Sequence, residues 1–479
     1  MKRTGDVRDR AGGSDPRKSE EDEAVDRISG LPDFLLLHIL SFLPFRCAVR
    51  ASLMLRPFRG LWTSLSSLSF QEDDFHTCDR GRSGADGGSR LWNFVDHVLA
   101  LHESPEIHRL RIVLFSYASI SPNPEYDHQG VMSSRDRLDE WIFFALKKKV
   151  KVLDVNLLGY HTPLGALLFH CRVPSAVFTT SSLVELNLSL CHVEFGEQIQ
   201  LKSLQKLWMC DVILSEEVMR KLVLGSPLLK KVSLRYCSGL RVLKLDRHPS
   251  LEELNVRQCR DLEKVDLASS GIKILAIFIA YPSSKIICPN VSTLELDGPE
   301  PDGVNLDCGS SLNDAALYFH GYGDFFLEDV EVETLLGKLR NIAYFSLANW
   351  IMLRISWDRA CNFDGRSYWY SVEGTFHCLA HHLKKVMIYA CVTEPYVIEL
   401  IEFLLGNALV LETMVISAKR NFKEARNGFS CFSDIGLEEY FTSDMLLDFS
   451  KKAMQEALVK HKESYVADWI DSGNDTVNT

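Results

Sequence analysis

One short apolar pattern recurs along the middle of the chain, and it limits the available folds more than any other feature. Apolar residues at relative positions 1, 4 and 6 occur as Val150–Leu153–Val155, Leu183–Leu186–Leu188, Leu204–Leu207–Met209 and Leu229–Val232–Leu234. They continue as Leu251–Leu254–Val256, Ile272–Leu275–Ile277 and Val291–Leu294–Leu296. From Leu183 onward the starts lie 21, 25, 22, 21 and 19 residues apart. Positions 4 and 6 are two apart, the period at which a strand returns to the same face. A unit this small has no core of its own, so its apolar side is covered only by the units stacked on it.

A spacing of roughly 20–29 residues with this pattern is the leucine-rich-repeat signature, and Cys191, Cys237 and Cys259 fall at its ninth position. One strand per coil then stacks into a parallel ladder, with positions 3, 5 and 7 turned outward. Those outward residues are Glu185, Asn187 and Ser189; Lys206, Trp208 and Cys210; Lys231, Ser233 and Arg235; Glu253, Asn255 and Arg257. A second phase, Leu240–Leu243–Leu245 and Leu262–Val265–Leu267, runs about 11 residues out of register. That leaves no room for a return helix and predicts short strands or extended chain on both faces, a flatter solenoid. Near the C-terminal end Leu383–Val386–Ile388 and Leu411–Met414–Ile416 repeat the pattern 28 residues apart. Between them Val397, Leu400, Ile401 and Leu404 have helical spacing, with Pro395 at the first turn and Gly406 after the last apolar residue. Strand, helix and strand there allow a right-handed crossover that closes the open edge of the array. Residues 445–458 read as one amphipathic helix and residues 471–479 as a frayed acidic tail.

Composition narrows the function. The 479 residues carry 53 Lys+Arg against 64 Asp+Glu, a net charge of −11. A generally acidic surface gains nothing from counterion release, which disfavours nucleic-acid binding. Residues 1–25 are charged, lack an apolar signal core and read as disordered. The longest apolar run, Ile274 to Tyr281, is far below the roughly twenty residues that span a bilayer. Thirteen cysteines without CxxC spacing read as reduced thiols, giving a soluble protein of nucleus or cytoplasm. Neither GxSxG nor GxxxxGK[ST] occurs. His377 and His381 stand at i, i+4, a spacing that holds zinc on a helix, but there is no HExxH glutamate and no second ligand pair. No metal, cofactor or catalytic residue is expected.

The N-terminal segment has a different character. Asp33 to Leu43, DFLLLHILSFL, is apolar at eight of eleven positions. On a helix, Leu35, Ile39 and Phe42 lie on one face and Leu36, Leu40 and Leu43 on another. The apolar module from Ile28 to Trp62 is too short to wrap both faces by itself. Covering four or five such side chains with a partner is worth roughly 1.5–3 kcal/mol each before ordering losses.

At these residues the chain resembles the F-box. The matching positions are Leu31-Pro32, Ile39-Leu40-Ser41-Phe42-Leu43-Pro44, Ala48-Val49-Arg50, Ser52 and Leu61-Trp62. The stretches Phe94 to Ile112, Val173 to Cys191 and Leu383 to Ile416 are similar to plant F-box/LRR proteins that end in an FBD domain. Two positions depart from the usual motif: Pro57 falls inside the expected third helix, and Phe58 stands where the family carries Trp.

The resemblance implies an α/β protein: a small three-helix F-box, a leucine-rich-repeat solenoid and a β-α-β FBD-type cap. Its parts would be a disordered 1–25, the F-box at 26–66, a linker at 71–90, the solenoid at 91–375, the FBD domain at 376–420 and a partly helical extension at 421–479. It implies a non-catalytic substrate receptor of an SCF ubiquitin ligase, with no cofactor and neither nucleic acid nor membrane as partner. Leu31, Pro32, Leu36, Ile39, Leu40, Leu43 and Leu53 would dock the Skp-type adaptor and, through it, a cullin–RING ligase. A protein substrate would meet Asn187, Lys206, Trp208, Lys231, Arg235, Asn255 and Arg257. Trp208 beside Lys231, Arg235 and Arg257 suggests an acidic recognition segment. The departures at Pro57 and Phe58 leave a second reading, a leucine-rich interaction scaffold whose F-box has decayed.

Overall fold

A computed structural model of the chain describes residues 28, 30–75, 85–115, 128–158, 171–193, 195–196, 198–246, 248–278, 284–298, 305–319, 337–349, 376–389, 395–417 and 446–450. The chain divides into two compact units, Met1–Leu65 and Ser66–Thr479.

In the first unit, helices α1 (Asp33–Ser41) and α2 (Phe45–Met54) each begin after a proline, Pro32 and Pro44, whose extended backbone leads into the first turn. The expected third helix is absent. Two 3₁₀ turns, Arg56–Phe58 and Leu61–Ser64, take its place, joined through Gly60 at φ +80°. Pro57 lacks the amide that an α-helix would need there, whereas a turn does without it. Buried Ser52 ties both turns to α2: its Oγ donates to the Phe58 carbonyl and accepts from the Trp62 amide. Phe58 and Trp62 are themselves buried, so Phe58 still fills the interior.

The second unit is built on a fourteen-stranded sheet, parallel through its first thirteen strands. Its first strand is β1 (Ser67–Gln71), paired with β2 (Arg109–Phe115). The array therefore starts well before residue 91, and the segment 71–90 is not simply a linker: Glu72–Phe75 is a 3₁₀ turn, and helix α3 (Ala85–Leu101) already covers 85–90. On α3, Val95, Val98 and Leu99 are buried. The Trp141 indole of α4 (His128–Lys147) lies 4.5 Å from the Trp92 ring and donates to Asp96 at 2.8 Å.

The ladder continues through β3 (Val152–Leu158), β5 (Glu185–Ser189), β7 (Lys206–Cys210), β8 (Lys231–Arg235), β10 (Glu253–Arg257), β12 (Ile274–Phe278) and β14 (Thr293–Gly298). A two-stranded pair, β4 (Cys171–Val173) and β6 (Cys191–Val193), flanks it. The pattern residues at positions 1, 4 and 6 are buried in all seven of these repeats. The 25-residue spacing after Leu204 holds helix α5 (Glu216–Leu224), capped by Ser215, whose Oγ accepts from the Val218 amide.

A corner recurs at the end of successive strands. Leu190, Asp211, Tyr236 and Gln258 sit at the eighth repeat position with φ between 52° and 56°. Three of them donate their amides to the next coil, to the carbonyls of Cys210, Arg235 and Arg257 at 2.8–3.0 Å. The left-handed step turns the ninth residue inward, which is why Cys191, Val212, Cys237 and Cys259 are buried. Three of the four are cysteines, small side chains with a weak donor: Cys237 Sγ donates to the carbonyls of Met209 and Arg235.

The second phase forms its own parallel sheet: β9 (Val242–Lys244), β11 (Lys264–Asp266), β13 (Lys285–Cys288) and β15 (Asn305–Cys308). It begins where α5 ends the room for strands, and Glu216 of that helix accepts the Val242 amide of β9 at 3.1 Å.

The main sheet goes on through β16 (Asp314–Phe319), β17 (Tyr344–Asn349), β18 (Lys385–Tyr389) and β19 (Thr413–Ser417), all parallel. Helix α6 (His377–His381) precedes β18, and α7 (Pro395–Asn407) links β18 to β19, with Leu400, Ile401 and Leu404 buried. The edge is not closed by this crossover. Strand β20 (Leu446–Ser450) adds to β19 in antiparallel register, where a helix was expected over 445–458. Residues 1–25, 418–445 and 451–479 lie outside the described residues, with the disorder and most of the extension expected there.

Candidate functional site

Two surfaces carry the sequence-predicted residues. On the first unit, the inner face of α1 is fixed by Leu36 and Leu40, 2% and 0% exposed, packed with Phe45, Ala48 and Val49 in its small interior. These two therefore hold the helices together and are not contact residues, which corrects their expected docking role. Leu31 is half-buried, and Pro32, Ile39, Leu43 and Leu53 are exposed. Beside them stand apolar residues that the sequence reading did not select: Phe34, Leu35, Phe42, Met54 and Leu55. Phe42, Leu53 and Met54 are more than 70% exposed. The signal for them was available, because Leu35, Ile39 and Phe42 share one helical face. Choosing between two equally apolar faces required knowing which one the fold buries.

The second surface is the outward face of the main sheet. Register places Asn187, Trp208, Ser233, Asn255, Ala276 and Glu295 side by side in one row. A flanking row runs Glu185, Lys206, Lys231, Glu253, and the other runs Ser189, Cys210, Arg235, Arg257. The charges are largely satisfied within the face. Lys206 Nζ lies 3.8 Å from Glu185, whose other oxygen accepts from Asn187. Lys231 pairs with Glu253, and Arg257 pairs with both Glu295 and Asp297 while donating to Asn255. Further along, Arg111 lies 3.3 Å from Asp154, whose carboxyl is nonetheless raised above the usual range by burial. The expected basic patch around Trp208 is thus an internally neutralised surface, and the case for an acidic recognition segment loses its main support. Half-buried Trp208 remains flanked in its own row by neutral Asn187 and Ser233.

On α6 the His377 and His381 rings stand 4.9 Å apart, with His382 5.2 Å from His377. The pair sits on the short helix that leads into β18. Among the described residues no group of three or more His, Cys, Asp or Glu is arranged to hold a metal ion, and no helix is long and apolar enough to cross a membrane.

Comparison with known proteins fits this architecture. The family described as "At1g61320/AtMIF1, LRR domain" matches residues 124–297, and the FBD family matches residues 373–416. Residues 124–297 are thus similar to an LRR domain and residues 373–416 to an FBD domain. The LRR match spans β3 to β14, and the FBD match spans α6, β18, α7 and most of β19.

Its relatives are Arabidopsis thaliana F-box/LRR/FBD proteins. The F-box/LRR-repeat protein At3g03360 is 28% identical over 57% of this chain and 52% of its own length. The F-box/FBD/LRR-repeat protein At1g13570 is 28% identical over 46% of each. The F-box protein At5g03100 is 23% identical over 70% of this chain and 93% of its own length. The chain spans about half the length of the first curated relatives it matches.

Proposed function

We propose that the chain is the substrate-recognition subunit of an SCF ubiquitin ligase and performs no bond chemistry itself. The observation that carries this reading is the exposed apolar strip of the first unit, Phe34, Leu35, Ile39, Phe42, Leu43, Leu53, Met54 and Leu55. So many exposed large apolar side chains in one small unit mark an interaction surface, and the F-box names of the relatives point to a Skp-type adaptor as its occupant. Leu31 and Pro32 open the same strip, while Leu36 and Leu40 support it from within.

The solenoid holds a protein substrate on its outward face, at Asn187, Lys206, Trp208, Lys231, Arg235, Asn255 and Arg257. Because most of the charges there are already paired, Trp208 supplies the anchor, and the neutral carboxamides of Asn187 and Asn255 read backbone or polar groups of the substrate. Tethering then presents a substrate lysine to the ligase-bound ubiquitin at high effective concentration.

Co-purification of the full chain with a Skp-type adaptor tests the first part. The double variant Phe42→Asp/Leu53→Asp is expected to lose the adaptor while keeping its melting temperature, since both side chains are exposed. If the wild-type chain captured no adaptor, the second reading, an interaction scaffold outside any ligase, would replace this one. The two 3₁₀ turns in place of a third helix favour that second reading.

A further inference from the structure

Cys288 ends β13 and Cys308 ends β15, and the two are register partners on adjacent parallel strands of the second sheet. Their sulfurs lie 3.3 Å apart. Neighbouring strands are separated by about 4.8 Å, inside the window of roughly 4.4–6.8 Å between Cα atoms that a disulfide accepts. Cys288 is buried and Cys308 is partly exposed, so solvent reaches only one of the two. We propose that Cys288 and Cys308 form an oxidisable dithiol, a modification site that takes a low-molecular-weight disulfide such as oxidised glutathione.

The order of events follows from access. The Cys308 thiolate attacks one sulfur of glutathione disulfide; that S–S bond breaks, a mixed disulfide forms on Cys308 and one glutathione thiolate leaves. The Cys288 thiolate then attacks the Cys308 sulfur, the protein S–S bond forms and the second glutathione leaves. Two protein thiols give up two electrons and two protons, and the two released glutathiones take them up. The S–H···S contact with Cys288, together with burial, holds the Cys308 thiol above the ordinary cysteine range. Exchange is therefore slow at neutral pH and quickens as the pH rises. Once formed, the bond closes a loop across one coil and pins β15, the outer strand of its sheet, to β13.

A second interacting sulfur pair among the described residues distinguishes this site from general thiol reactivity. Cys237 and Cys259 interact as well, but both are buried and offer no entry. The test is incubation of the native full-length chain with oxidised glutathione, followed by alkylation and peptide mapping without reductant. The expected product is one cross-link joining Cys288 and Cys308, with a melting temperature raised by a few degrees that dithiothreitol restores. Cys288→Ser should stop at glutathione on Cys308, and Cys308→Ser should give neither product. Free, alkylatable thiols at both positions after prolonged exposure to oxidised glutathione at about pH 8.5, near the free-thiol pKa, would overturn the proposal. Cross-links spread equally over the Cys237 and Cys259 pair would overturn it too.

Discussion

Arg257 reaches from β10 over the neighbouring strand β12 to place its guanidinium on Glu295 of β14. Its other terminal nitrogen lies 3.5 Å from Asp297 on the same strand. On β12 the register partner of Glu295 is Ala276, whose side chain ends at Cβ. One side chain thus fastens three coils, and Asp297, only 7% exposed, receives part of its counter-charge from two strands away.

Removing that charge is expected to cost more than an ordinary surface pair. Arg257→Ala leaves a largely buried carboxylate with less compensation, at about 2–3 kcal/mol. Arg257→Lys should recover less than half, because a single ammonium cannot serve both acids in fork geometry. Denaturant titration of the three proteins measures the difference. A loss under about 0.5 kcal/mol for Arg257→Ala, the range of surface substitutions, would mean that the network contributes little.

The left-handed corners respond to side-chain type in a definite direction. Gln258 has φ 52°, a conformation that costs an L-residue roughly 1–2 kcal/mol and a glycine almost nothing. Gln258→Gly should therefore raise the melting temperature slightly, and Gln258→Val should lower it. The reverse order in a thermal melt would show that Gln258 is held there by its side chain and not by the backbone.

Alkaline pH should loosen the ladder through its sulfurs. Burial pushes the Cys210 thiol from 9.0 up to about 12. The folded chain then holds this proton while the unfolded chain releases it, so the stabilisation is complete below pH 9 and is lost as the pH climbs toward about 12. Stability measured at a series of pH values should fall less steeply across that window in Cys210→Ala than in the wild type. Parallel slopes would remove Cys210 from the account.

In the first unit Ser52 is the polar tie. Ser52→Ala strips the hydroxyl from the Phe58 carbonyl and the Trp62 amide, an expected loss of about 1–2 kcal/mol for a buried, doubly bonded group. Trp62 fluorescence and proteolysis at residues 55–61 should report it. Adaptor capture should weaken in step, since Leu53, Met54 and Leu55 lead straight into those turns. Unchanged protection from protease would show that apolar packing of Phe58 and Trp62 suffices.

The sequence carried the ladder because burial alone determines it: Leu186 and Leu188 or Val232 and Leu234 face inward whatever their neighbours do. The second phase was legible for the same reason at Leu243 and Val265. What was lost depended on register or on partners. SLSFQ at 67–71 has only two strongly buried residues, Leu68 and Phe70, and its pairing with β2 crosses some forty residues of chain. The left-handed corners are occupied by Leu, Asp, Tyr and Gln, so no residue type announces them. The pairing of Arg257 with Glu295 needs two strand registers at once, and without them its charge read as available for a ligand. On α1, two apolar faces look alike in sequence, and only the fold shows that Leu36 and Leu40 are the buried pair.

The contact between Glu216 and Val242 has a consequence for how the molecule behaves among copies of itself. A bare β-edge is a template on which another chain can add a strand. At β9 a carboxylate from the preceding helix occupies the outermost amide, so an incoming backbone finds a negative charge where it would need a donor. That margin of the smaller sheet is poorly suited to seed self-association.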